Sequence, residues 1–326
     1  MSFEQILGQD RAKKILQNGL RTDKVSHAYL FSGPKGTGRM AAALTFTKAL
    51  FCERMTDDAC GECLSCRKIE HGNHPDVHII VPEGQSIKID QIRELQREFS
   101  YRTQATGRKV YIMEQAEKMT VQAANSLLKF LEEPTSPAVA ILITENGQAM
   151  LPTIQSRSQM VPFTPQDPNL ICQTLVAEGS PAILARAAVY LVNGLEAGRE
   201  LCGQNWFAEV RNVMLQLGKE CEARLPSALL TAQQKLFKTE LAEHTDMLFR
   251  LFHLWFRDML NYQYNRQESL VFIDQLDTIS KLAWTKSAEG WIRCMDAATE
   301  AQKRVRANVS PQLACEQFLV GIQGGT

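Results

Sequence analysis

Ala28-Tyr29-Leu30-Phe31-Ser32-Gly33-Pro34-Lys35-Gly36-Thr37-Gly38-Arg39-Met40 joins a short apolar run to a glycine-rich turn, and the residues from 39 to 51 continue as a plausible helix. Strand, glycine loop and helix in that order are the context of a phosphate-binding P-loop, whose backbone N–H groups turn inward at a helix N-terminus. Two positions depart from what such a loop needs for catalysis. A lysine should bridge the β- and γ-phosphates and a serine or threonine hydroxyl should hold Mg²⁺, yet Arg39 and Met40 stand there. Arginine keeps the charge on a longer planar fork, and a thioether does not ligate a hard cation that takes oxygen. Gly33, Gly36, Gly38 and Arg39 are therefore candidate contacts of a degenerate nucleotide site. ATP binding there is doubtful, and a glycine turn kept for packing is the competing reading.

The other half of such a site is degraded too. An ATP-hydrolysing P-loop protein places a metal-binding Asp at the end of a neighbouring strand, followed by a carboxylate that polarises water. Here Val110-Tyr111-Ile112-Met113 runs into Glu114-Gln115-Ala116-Glu117, so Glu114 takes the metal position and Gln115 replaces the second carboxylate.

Around this pair the first half of the chain alternates helix and strand. Ala12, Ile15, Leu16 and Leu20 recur at helical spacing, and Val77 to Val81 reads as a second buried strand. Asp90 is placed to cap a helix carrying Ile92, Leu95 and Phe99. Lys109 to Met113 is strand-like, Thr120 is placed to cap a helix running to Leu131 that Pro134 closes, and Ala138 to Ile143 is a further strand. Nearly all-apolar strands separated by helices predict an α/β fold, a parallel sheet covered by helices on both faces. The composition shifts across Val161 to Pro168, and strand signals then vanish. Short helices with glycines at 194 and 198 are expected to about 206, and an all-α region from 207 to 326 with Leu248 to Phe256 in its central helix. The expected division is thus 1–165, 166–206 and 207–326.

Lys+Arg and Asp+Glu both number 36, so the formal net charge is zero. That balance argues against a protein that coats DNA by bulk attraction and leaves only local contacts. With 44% hydrophobic and 22% charged residues over 326 positions, bulk disorder and small peptide scaffolds are excluded. Met1 to Gln5 shows neither a basic nor an apolar leader pattern and no aliphatic run reaches membrane length, so a cytoplasmic protein without membrane contact is expected.

Four of the nine cysteines fall within fifteen residues: Cys52, Cys60, Cys63 and Cys66. Soft thiolates at this C-x-x-C spacing close a tetrahedron around Zn²⁺, and a reducing compartment disfavours the disulfide alternative. Four thiolates leave no open position, so the zinc is expected to be structural and a zinc-dependent enzyme is not. His71, His74 and His78 lie close in sequence but are not needed as ligands.

The chain resembles the AAA+ clamp-loader family of bacterial DNA polymerase III. The resemblance is carried by Ile6 to Gln9, His27 to Pro34, the four cysteines, His74 to Asp76, Ala123 to Pro134 and Thr153 to Ser158. It is specific over residues 3–163, faint to 202, and reappears at Asn308 to Leu319. It implies an AAA+ P-loop core with the zinc module inserted at about 52–66, then a helical lid and a helical collar for oligomerisation. It implies assembly with gamma/tau and delta subunits and, through the complex, action on a sliding clamp and primed DNA. Because its P-loop departs from that of the hydrolysing gamma/tau subunits, the chain is expected to be a stator without ATPase activity of its own. The alternative is an ATP-hydrolysing gamma/tau-like subunit or another AAA+ DNA-processing motor. In Ser156-Arg157-Ser158, which stands where the family has Ser-Arg-Cys, the resemblance makes Arg157 an arginine finger acting on a neighbour's ATP. Arg199 aligns loosely with the family's second nucleotide sensor, with a helix-surface charge as the alternative. Arg93, Arg97, Arg102, Arg108 and Lys109 form a basic stretch that could approach a DNA backbone, although Glu94 and Glu98 are interleaved with it.

Overall fold

The computed structural model of the chain describes residues 2–55, 57–100, 108–132 and 137–323. Arg102, Glu133 and Pro134 lie outside the described residues, as does the side chain of Phe99. Two compact units divide the chain, Met1–Asp167 and Pro168–Thr326.

In the first unit five parallel strands form one sheet in the order β2-β3-β4-β1-β5: β1 Ala28–Ser32, β2 Val77–Ile80, β3 Lys109–Met113, β4 Ala138–Thr144 and β5 Gln159–Pro162. The central strands alternate between two buried cores. Tyr29, Phe31, Val110, Ile112, Val139, Ile141 and Ile143 join α1 (Asp10–Arg21) and α2 (Arg39–Phe51) on one face. Leu30, Tyr111, Met113, Ala140 and Leu142 face α4 (Ile89–Ser100) and α5 (Val121–Glu132), reached after a short helix α3 (Leu64–Glu70). Period-two alternation with both faces apolar is what a sheet covered on both sides demands. Thr120 caps α5 as expected, its Oγ1 accepting from the Ala123 amide at 3.2 Å.

Three expectations need correction. Val77 to Val81 is not a buried strand, because β2 lies at the sheet edge with Ile79 45% and Val81 49% exposed. Asp90 is already inside the first turn of α4 rather than its cap. Finally, β5 runs through 159–162, where no strand was expected, and is held by pairing with β1.

The turn after β1 is tightly enclosed. A Cβ on Gly33 would run into the Phe163 carbonyl oxygen and lie 2.8 Å from Phe163 Cβ, contacts made with the continuation of β5. Gly33→Ala is accordingly expected to lower unfolding stability by about 2 kcal/mol, the scale of an overpacked site, read as a shifted urea midpoint.

The second unit is helical: α7 Pro168–Ala177, α8 Ala182–Leu191, α9 Leu195–Cys202, α10 Asn205–Ala223, α11 Leu225–Thr231, α12 Thr245–Gln263, α13 Leu276–Leu282, α14 Ala288–Arg306 and α15 Pro311–Gln323, with α6 (Pro152–Gln155) preceding β5 in the first unit. Phe249, Phe252, Trp255 and Phe256 of α12 are buried at its centre, and Phe249 and Phe252 meet Phe318 of α15 edge-on at 5.3 and 4.9 Å. These aromatics form the core of the helical unit. Gly218 gives α10 room to approach Trp255, whose Nε1 would be 3.1 Å from a Cβ there.

Asp258, fully buried on α12, accepts the amides of Val271 and Phe272 through Oδ2 at 2.7 and 2.8 Å. Burial raises its carboxyl from an ordinary 3.8 to about 6, outweighing those amides and the opposing pull of Arg257 and Arg186. The folded state therefore binds a proton that the unfolded chain has released, so stability falls as pH rises from about 4 to about 6 and is level above. The loss amounts to roughly 3 kcal/mol at 1.36 kcal/mol per pKa unit. Asp258→Asn should flatten this part of the profile, measured by urea unfolding at matched pH values.

Candidate functional site

The degenerate P-loop sits at the C-terminal end of β1. Gly36 and Gly38 adopt φ +82° and +80°, and Thr37, buried, donates its hydroxyl to the Pro34 carbonyl at 2.8 Å. Positive φ at both glycines gives the loop its reversal, and the hydroxyl locks it. Arg39 opens α2, while the Met40 side chain packs against the apolar core under the sheet rather than presenting a ligand.

Arg39, Lys35 and Lys118 share a cavity of about 430 Å³ with Glu114, Gln115, Glu117 and Glu145. Burial holds the Arg39 guanidinium below its usual range, against the pull of Glu145, Glu117 and Glu114. Opposite charges thus already balance across the space where a nucleotide's terminal phosphates would lie. Gln115, which replaces the water-orienting carboxylate, is itself in the left-handed region at φ +53°. Ser32 at the end of β1 accepts the Gly147 amide at 2.9 Å, which ties the loop after β4 to the phosphate turn. The motif reading included Glu114 but missed Glu117 and Glu145. Only the position of Glu145 directly after an apolar strand could have signalled it.

Arg157 follows α6, whose first residue is Pro152. Its Nη1 donates to the Thr153 carbonyl at 3.1 Å. Because Gln159 pairs with Tyr29, the chain enters β5 at the end of the sheet remote from Gly33. Four strand residues separate the two levels, ~13 Å at the rise of a β-strand. Arg157 is therefore placed away from the phosphate turn of its own chain. Arg199 on α9 makes a bidentate pair with Glu178, Nε to Oε2 at 2.8 Å and Nη2 to Oε1 at 2.7 Å, and that hydrogen-bonded pairing raises its pKa. Of the basic stretch, Lys109 is buried at the start of β3 and Arg93 pairs with Asp90 at 3.3 Å, so neither stands as an unpaired charge on an exposed face.

The cysteines converge. The Sγ atoms of Cys52, Cys60, Cys63 and Cys66 lie within 4.8 Å of one another, with Cys60 and Cys66 at 3.9 Å, and all four are free thiols. Four thiolates on a tetrahedral zinc stand ~3.8 Å apart at a Zn–S length of about 2.3 Å, so this donor set fits such an ion. The Cys63 amide donates to Cys60 Sγ at 3.3 Å, and the Cys66 amide to Cys63 Sγ at 3.4 Å from the first turn of α3. The amides of Cys63 and Glu62 hold the Cys60 thiol down to about 6. Amide donors favour the thiolate that metal binding requires. The loop is fastened to the core by Asp58, which accepts the Phe3 amide at 2.9 Å, and by an ion pair between buried Lys48 and Glu70. His74 is outside the thiol cluster: its ring lies tilted against Phe51 at 4.5 Å and accepts the Asp76 amide through Nδ1 at 3.2 Å.

Comparison with known proteins gives concordant matches. The family described as DNA polymerase III, delta subunit, matches residues 8–167. DNA polymerase III subunit delta' of Bacillus subtilis (strain 168) is 37% identical over 97% of each chain, and subunit delta' of Pseudomonas aeruginosa is 32% identical over 90% of this chain and 91% of that one. DNA polymerase III subunit tau of B. subtilis is 38% identical over 57% of this chain, but only 35% of its own length is covered. A solved gamma-subunit-related protein of Thermotoga maritima aligns at 20% identity and a TM-score of 0.46. Among the described residues no helix is long and apolar enough to cross a membrane.

Proposed function

The chain belongs to the DNA polymerase III delta' family, and from that premise we propose that it is a stator subunit of the clamp loader: it assembles with gamma/tau and delta, does not hydrolyse ATP itself, and completes a neighbour's ATP site with Arg157. The observation that carries this reading is the Arg39 cavity, where Glu114, Glu117 and Glu145 oppose the guanidinium and Met40 turns into the core. A triphosphate entering there would displace carboxylates and find no hydroxyl for its Mg²⁺. Arg157, set away from that turn, suits action on a different chain.

Residues 166–206 act in this reading as a lid and 207–326 as a collar that joins the ring. In this reading the bidentate pairing of Arg199 with Glu178 favours a brace between the end of α7 and α9 over a nucleotide sensor. Cys52, Cys60, Cys63 and Cys66 would hold one structural Zn²⁺, substituting metal–ligand bonds for the apolar core that so short an insertion lacks. Contact with the sliding clamp and primed DNA comes through the complex. The test is size-exclusion chromatography of the chain mixed with gamma/tau and delta. One stoichiometric complex is the expected result, and separate elution at every mixing ratio would overturn the assignment.

A further inference from the structure

The helical unit holds a cavity of about 210 Å³ where α8, α12 and α14 meet. Tyr190, Leu191, Phe249 and Leu254 give it apolar walls, and Arg250, His253, Thr299 and Gln302 give it polar ones. That is room for a body of about seven water volumes.

Arg250 sets the chemistry of this space. The carboxylate one helical turn before it, Asp246, attracts it electrostatically but accepts its hydrogen bonds elsewhere, from Arg306 Nε at 2.8 Å and from Gln302 Nε2 at 3.0 Å. Asp258 turns its Oδ2 to the amides of Val271 and Phe272. Arg250 is half-buried at the cavity wall, and among the described residues none accepts a hydrogen bond from it. Seven residues on, Arg257 lies over the Tyr190 ring at 4.3 Å with Nε and Nη2 buried and unpartnered. His253 reaches only a long 3.5 Å contact with the Thr299 hydroxyl. A half-buried guanidinium at a cavity wall, its hydrogen bonds taken up by no protein group, offers an anion charge-assisted bonds. The apolar walls favour an anion with an apolar body over bare phosphate.

We propose that this cavity binds a small carboxylate with an aromatic or branched apolar body, its head group received by Arg250 and its body lodged against Tyr190, Leu191 and Leu254. A free small acid and an acidic side chain of a neighbouring subunit offer the same chemistry.

The probe is benzoate, followed by amide chemical shifts of the full chain, with benzyl alcohol as the neutral counterpart. Saturable shifts at Tyr190, His253 and Gln302 are expected, with benzyl alcohol at least about tenfold weaker because it lacks the charge-assisted pair. Arg250→Gln should weaken benzoate by a similar factor, and Arg250→Lys should retain part of the binding. If Arg250→Gln does not fold, Thr299→Leu tests the same space from α14 and should block the probe. In the presence of gamma/tau and delta, an arm that rests on the proposed function, assembly unchanged by excess benzoate assigns the site to a free acid, and assembly lost assigns it to a partner's carboxylate. No saturable shift, equal binding of benzyl alcohol, or binding untouched in both folded variants overturns the proposal.

Discussion

Arg157→Ala is expected to leave the isolated chain folded and the reconstituted complex assembled, while ATP hydrolysis at the adjoining site falls by roughly 10³, the lower end of what arginine fingers supply. The variant loses the hydrogen bonds from Nη1 to the Thr153 carbonyl and the Ser156 hydroxyl, so its stability should change by about 1 kcal/mol, the net scale of such a bond. If the guanidinium acts, as proposed, on a neighbour's γ-phosphate, the defect belongs to the complex alone. Arg157→Lys should restore little, since a point charge on a flexible stem does not reproduce the planar fork. Clamp-stimulated and DNA-stimulated ATP turnover, with size-exclusion chromatography to check assembly, measures it. Wild-type turnover in a fully assembled Arg157→Ala complex would leave the subunit a passive scaffold.

The second large effect is expected at the thiol cluster. Elemental analysis should find about one zinc per chain, lost together with the integrity of the 52–66 loop when Cys60 or Cys66 becomes Ser. Structural zinc contributes on the order of 10 kcal/mol to small modules of this kind, and among the described residues the local apolar cluster is Ala59, Cys63 and Cys66 with Cys52 and Cys60 beside them. The variants should be cut by protease within the loop. The sheet should persist, because its two cores draw on β1, β3 and β4 rather than on the cysteines. Metal-free protein with a protease-resistant loop would contradict the assignment.

What local sequence could disclose follows from where the information resides. The β1 turn and α2 were legible because strand, glycines and helix start are fixed by neighbouring residues, and Thr120 announced α5 by a cap chemistry that acts over three positions. Strand β5 was not legible: Gln159-Met160-Val161-Pro162 is short and opens on exposed residues, and its extended state comes from pairing with β1, 130 residues away. The same limit hid the edge position of β2, since strand order is a property of the sheet. Four cysteines inside fifteen residues could be read as one cluster, whereas Glu117 and Glu145 reach Arg39 from two separate loops. The engagement of Arg199 by Glu178 joins α9 to the end of α7 and carries no signature in either segment alone.

In the proposed role this chain serves catalysis without performing it. Mg-ATP turnover by the isolated, homogeneous chain tests it most directly. None above the protein-free rate is expected, because Met40 supplies no oxygen to Mg²⁺ and Gln115 no carboxylate to water. Turnover that follows the chain through purification and disappears in Arg39→Ala would contradict it.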